Sequence, residues 1–119
     1  MRILFAPDSF KGSLSAGAVC ALLEEQAGLI FPGCETVSLP MADGGEGTLE
    51  ILTQIAGGER VEVPVLGPRF EPRRAEYALL PGGTALIEMA AASGLPLVPP
   101  GERNPGRTNT YGTGQLIRA

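Results

Sequence analysis

Two short polar stretches hold most of the residues that could do chemistry. Pro40 to Glu50 reads Pro-Met-Ala-Asp-Gly-Gly-Glu-Gly-Thr-Leu-Glu, so Asp43 and Glu46 lie among Gly44, Gly45, Gly47 and Thr48. Glycine lets backbone approach a ligand closely. At the start of a helix, unpaired N–H groups and the helix dipole favour a bound anion such as phosphate. A carboxylate beside such a site would repel that ligand unless it held a metal ion or took a proton from a nucleophile, which suggests phosphoryl transfer. The plainer reading is a glycine-rich turn with Asp43 or Thr48 capping the helix.

The second stretch is Ala6-Pro7-Asp8-Ser9-Phe10-Lys11-Gly12-Ser13 and carries the sole lysine. It is not a Walker loop, because glycine follows the lysine and the upstream glycine is absent. One ammonium can still neutralise a phosphate as a point charge; the alternative is a solvated surface lysine. Further along, Glu88 ends an apolar run ahead of Ser93, and a carboxylate there needs a partner. It reads either as a site residue or as an arginine's ion-pair partner. Tyr111-Gly112-Thr113-Gly114 forms a second glycine-rich helix start. Neither glycine cluster completes the dinucleotide fingerprint Gly-x-Gly-x-x-Gly, because Glu50 and Ile117 stand where the last glycine is needed.

Positioning these residues takes a recognisable set of elements. Arg2 to Ala6 is an apolar run suited to a buried strand in a parallel sheet. Ser15 is placed to N-cap a helix with Val19, Leu22, Leu23, Ala27 and Ile30 as its apolar stripe, ending before Phe31-Pro32-Gly33. Thr36 to Leu39 reads as a strand, and Leu49, Ile51, Leu52, Ile55 and Ala56 recur at helical spacing. Strand, helix, strand, helix implies a parallel βαβ crossover, with both polar loops on the ligand-binding edge of the sheet.

After Gly57-Gly58 the pattern changes to alternation. Val61, Val63 and Val65, then Ala75, Tyr77 and Leu79, read as half-buried hairpin strands, followed by an apolar strand from Ala85 to Met89. The expected fold is therefore α/β. Residues 1–58 form part of a Rossmann-like parallel-sheet lobe, and 59–119 begin a second, β-rich α/β lobe. Leu95 to Pro105 reads as an irregular loop, and Gln115 to Ala119 as one turn of helix. So short a helix is unstable alone, so more chain is expected beyond Ala119.

Composition removes other classes of function. The chain has 119 residues and a net charge of −4 with no basic cluster, so a nucleic-acid surface is not expected. There is no apolar run of membrane-span length and no signal-peptide pattern, and a cytoplasmic location is the default. Cys20 and Cys34 read as small buried hydrophobes rather than zinc ligands. With no histidine, a Ser-His-Asp or Cys-His nucleophile is excluded within these residues.

Four blocks carry a resemblance: Ala6 to Ser15, Pro40 to Thr48, Ile87-Glu88-Met89-Ala90-Ala91-Ala92-Ser93-Gly94-Leu95, and Tyr111 to Gly114. Together they resemble the N-terminal third of bacterial type I glycerate kinases. The resemblance implies a two-lobed α/β enzyme, represented here by an N-terminal portion. It would bind glycerate and Mg-ATP and transfer the γ-phosphoryl group to glycerate, giving 2-phosphoglycerate. It further implies that Asp43 holds Mg²⁺ or accepts the hydroxyl proton, and that Asp8 takes the other of those roles. Lys11 would neutralise a phosphoryl or carboxylate oxygen. Ser9, Gly44, Gly45, Glu46, Gly47, Thr48, Glu88, Ser93, Tyr111, Gly112, Thr113 and Gly114 complete the substrate- and nucleotide-binding set.

The family's later glycine-rich blocks are missing, so activity from these residues alone is not expected. Local departures are Phe70, where relatives have a small residue, and Asn109, which interrupts a threonine run. The alternatives are a non-catalytic anion-binding module or an inactive remnant, and the lone portion is expected to self-associate, or to form a homo-oligomer, through unpaired edges.

Overall fold

The chain is described by a computed structural model covering residues 1–119, and its backbone divides into two compact units, Met1–Asp43 and Gly44–Ala119. In the first unit, strand β1 (Arg2–Phe5) leads through helix α1 (Ala16–Ile30) to strand β2 (Glu35–Ser38). The strands pair in parallel from Arg2↔Glu35 to Phe5↔Ser38, as a βαβ crossover requires. Ser15 caps α1 as its sequence position predicts: it is extended, and its side chain accepts the Ala18 N–H at 3.2 Å. Ser38 donates its hydroxyl to Glu24 Oε1 at 2.6 Å, tying strand to helix.

Two details of this unit depart from expectation. The buried stripe of α1 is Ala16, Val19, Cys20 and Ala27, whereas Leu22 and Ile30 are exposed. Small side chains let the helix approach closely, and two strands are too few to cover the leucines beside them. For the same reason β1 is not buried, and Leu4 is 62% exposed. The cysteines are free, Cys20 buried and Cys34 half-buried with its thiol against the Ala27 carbonyl at 3.6 Å.

The second unit begins with helix α2 (Thr48–Ala56) and continues into an antiparallel meander of β3 (Glu59–Leu66), β4 (Pro72–Leu80) and β5 (Thr84–Leu86). The change of periodicity near Gly58 lies inside this unit, and α2 packs on β4. Register pairs Val61 with Tyr77 and Val63 with Ala75, which places one face of the hairpin inward. Arg60–Glu76 and Glu62–Arg74 ion pairs link the strands on exposed side chains, where each contributes about 0–1 kcal/mol.

Helices α3 (Met89–Ser93) and α4 (Tyr111–Arg118) pack on the inner face. Val65, Ala75, Ala92 and Leu116 form the core there, flanked by Val63, Tyr77, Ile87 and Ala91. Leu95 to Arg107 is irregular, as expected, with three single turns of 3-10 helix. No helix is long and apolar enough to cross a membrane.

Two element boundaries correct the sequence reading. The strand expected from Ala85 to Met89 is only Thr84–Leu86, because Met89 already opens α3, whose run of three alanines favours helix. Helix α4 starts at Tyr111 rather than Gln115, so Gly112 and Gly114 lie within its first turn. Gly112 is a point of contact: a Cβ there would fall 2.0 Å from the Leu66 carbonyl oxygen. Gln115 completes the seam by accepting the Leu66 N–H at 2.7 Å.

Candidate functional site

In the first unit, the parallel ladder runs on past the strands. Leu39 N–H donates to the Phe5 carbonyl at 2.8 Å and Met41 N–H to the Pro7 carbonyl at 2.9 Å. The chain segments that carry Asp8 and Asp43 therefore leave the same edge of the sheet side by side, as the topology predicts. Asp8 accepts the Ser9 N–H at 2.6 Å, which fixes the start of its loop. Beyond it, Phe10 and Leu14 pair through two backbone bonds of 2.8 and 3.1 Å and close a tight turn with Lys11 and Gly12 at its tip. Asp8, Ser9, Lys11 and Asp43 are all exposed. Lys11 makes no ion pair within the chain.

Mg²⁺ binds through one or two carboxylates together with phosphate oxygens and water. Asp8 and Asp43 are two carboxylates on neighbouring segments, a number that such binding needs, and no group of three acidic or thiol side chains converges to form a fuller cage.

In the second unit, the glycine turn leads into α2. Gly44 and Gly47 both have φ of 92°, which side-chain-bearing residues rarely adopt. Several amides of the turn are already engaged. Gly44 N–H donates to Thr48 Oγ1 at 3.1 Å, and Thr48 N–H donates to the Gly45 carbonyl at 3.2 Å. Leu49 N–H, in the first turn of α2, donates to Glu88 Oε2 at 2.9 Å. Neither Asp43 nor Thr48 is the N-cap residue; that position is Gly47, without a side-chain bond.

Glu88 is thus neither at a strand end nor paired with an arginine. It is buried, stands just ahead of α3, and its partner is the backbone of α2. The remaining candidates pair locally. Ser93 Oγ and Thr113 Oγ1 share a hydrogen bond of 2.8 Å that joins α3 to α4. The Thr113 and Gly114 amides donate to the Thr110 carbonyl at 3.1 and 3.3 Å. Tyr111 N–H donates to Asn109 Oδ1 at 2.8 Å.

The two departures from the family pattern meet here. Asn109 donates from both its backbone and its side-chain nitrogen to the Pro68 carbonyl, at 2.9 and 2.8 Å. Phe70 packs its ring on Tyr111 with centroids 6.1 Å apart. Gln115 was not singled out by sequence, since a glutamine after a glycine cluster carries no pattern that reveals a bond to a strand 49 residues away.

The model of the glycerate kinase family matches residues 3–119. The chain is 51% identical over 120 residues to a glycerate kinase of Bacillus subtilis strain 168, covering all of this chain and 31% of that protein. It is 48% identical over 118 residues to the glycerate 2-kinase of Escherichia coli K12, covering 98% of this chain and 31% of the relative. A crystal structure from Salmonella typhimurium LT2, whose protein carries the provisional name glycerate kinase 2, superposes with a TM-score of 0.71 at 47% identity. That match covers 99% of this chain and 32% of the other. The chain spans about a third of the length of the relatives it matches.

Proposed function

This chain belongs to the glycerate kinase family, and on that premise we propose that the whole protein transfers the γ-phosphoryl group of ATP to D-glycerate, giving 2-phosphoglycerate. The observation that carries the reading is the extent of its likeness to a protein named glycerate 2-kinase, which runs through both polar loops and the Glu88 and Tyr111 blocks. The adjacent departure of the two loops from one sheet edge supports it.

Phosphoryl transfer is mainly alignment and charge neutralisation. Lys11, at the tip of a tight turn and without an internal ion pair, is suited to neutralise a phosphoryl or carboxylate oxygen. One of Asp8 and Asp43 accepts the proton of the attacking glycerate hydroxyl, and the other would hold Mg²⁺. The ion, when bound, supplies positive charge to the phosphate oxygens. Binding of substrate or nucleotide is assigned to Ser9, to the turn from Gly44 to Thr48 and to the Gly112 to Gly114 segment, the second glycine element. We assign residues 1–58 and 59–119 to two lobes of the whole enzyme, on the change from crossover to hairpin connection near Gly58. The cytoplasm, which supplies ATP, is its expected compartment.

The test is glycerate-dependent ADP formation by the complete polypeptide, with product passed to enolase, which consumes 2-phosphoglycerate directly. Absence of ADP formation would overturn the kinase reading, and a product that enolase ignores would overturn the position of transfer.

A further inference from the structure

The first turn of α2 has a built-in acceptor from a distant part of the chain. Gly47 at its N-cap has no side chain to satisfy the leading amides. Glu88 satisfies one of them, the Leu49 amide: its Oε2 lies 2.9 Å from Leu49 N, and Glu88 and Leu49 are only 9% and 5% exposed. A carboxylate at that end of a helix also suits the dipole. The bond in turn offsets the cost of taking the carboxylate out of water. The backbone of Glu88 is committed as well, since its carbonyl accepts the Ala91 N–H at 3.2 Å at the start of α3. One residue therefore sets the starts of two helices.

We infer that Glu88 is a positioning residue that occupies the anion position at the N-terminus of α2 and so fixes the Gly44–Thr48 turn, and that no phosphoryl group of a ligand is held by the Leu49 amide. A phosphate brought there would meet the carboxylate at close range, where like charges repel. Recognition of phosphate then falls to Lys11 and to groups outside this helix end. The place of the turn in catalysis rests on the kinase reading above; the hydrogen bond and its consequence for the turn do not.

The experiment compares wild type, Glu88→Gln and Glu88→Ala in the complete polypeptide, by hydrogen exchange of the peptide spanning residues 44–56 and by steady-state kinetics. Glu88→Gln keeps an oxygen that can accept the Leu49 N–H, so exchange stays slow. Glu88→Ala speeds it by roughly tenfold or more, because a buried donor has lost its acceptor. In Glu88→Ala, kcat falls while KM for ATP and for glycerate stays within about threefold, and Glu88→Gln recovers most of the loss, the pattern of a group that orients rather than binds. Formate, which can enter the vacated space, raises the thermal midpoint of Glu88→Ala and leaves wild type unchanged.

Unchanged exchange in Glu88→Ala would overturn the inference. So would a KM raised roughly 100-fold for one substrate in both variants, which would make Glu88 a ligand contact. If wild type makes no ADP from glycerate, the kinase reading fails, while the exchange and formate results still decide whether Glu88 holds the turn.

Discussion

Asp43 is the residue on which the proposed chemistry depends most. It is exposed and directly precedes the glycine turn, on a segment held beside the Asp8 loop by the Met41 to Pro7 bond. Asp43→Asn keeps the size of the side chain, removes its capacity as a base, and replaces a charged metal ligand with a weaker neutral one. In the complete enzyme kcat should fall by roughly 10²–10⁴-fold with the fold intact, checked by steady-state kinetics and circular dichroism. An unchanged rate would remove Asp43 from the mechanism. Phe70 poses a contest of two small terms. Its φ of 64° is the left-handed region, which costs a non-glycine residue about 1–2 kcal/mol. Its ring contact with Tyr111 returns about 0.5–1.5 kcal/mol. Phe70→Gly relieves the first and loses the second, so stability should change by less than about 1 kcal/mol. Phe70→Ala keeps the strain and loses the ring, so it should cost about 1 kcal/mol, measured by urea unfolding.

At the scale of elements, the position of α4 is set by a contact rather than by helix propensity. Two glycines in its first turn are unfavourable, and Gly112 is tolerated because it lets the helix backbone meet the Leu66 carbonyl. Gly112→Ala would put a methyl group 2.0 Å from that oxygen, so the helix must shift and the Gln115 bond to Leu66 weaken with it. The expected loss is about 2 kcal/mol or more, read as a lower denaturation midpoint. Gly114, with open space at its Cβ position, should accept alanine with little loss or a small gain of helix stability.

For the whole molecule, apolar surface is the deciding quantity. Leu4 is 62% exposed, Leu29 70%, Ile30 66% and Ile117 69%, so both units present large side chains to water. Strands β1 and β2 pair only with each other, which leaves both outer edges of the parallel sheet without a neighbouring strand. Surfaces and edges of this kind drive association. The 119-residue chain prepared alone should therefore bind a hydrophobic dye and elute as an oligomer in size-exclusion chromatography at micromolar concentration. Monomeric elution without dye binding would show that these side chains are tolerated in solution.

What the sequence by itself determined is local or block-like. Ser15 announces the start of α1, alternation announces the β3–β4 hairpin, and the polar loops after two parallel strands announce a shared sheet edge. These signals lie within a few residues of what they specify, because helix caps, turns and strand alternation are settled by neighbours along the chain. The order of four motif blocks was enough to bring the glycerate kinase family into view. Tertiary structure alone decided that Ala16 and Cys20 rather than Leu22 face the strands, that α4 begins four residues early, and that Glu88 serves the first turn of a helix 39 residues away. Each is a contact between segments distant in sequence, chosen by close packing and by the need to pair a buried donor. Neither requirement leaves a pattern that can be read along the chain.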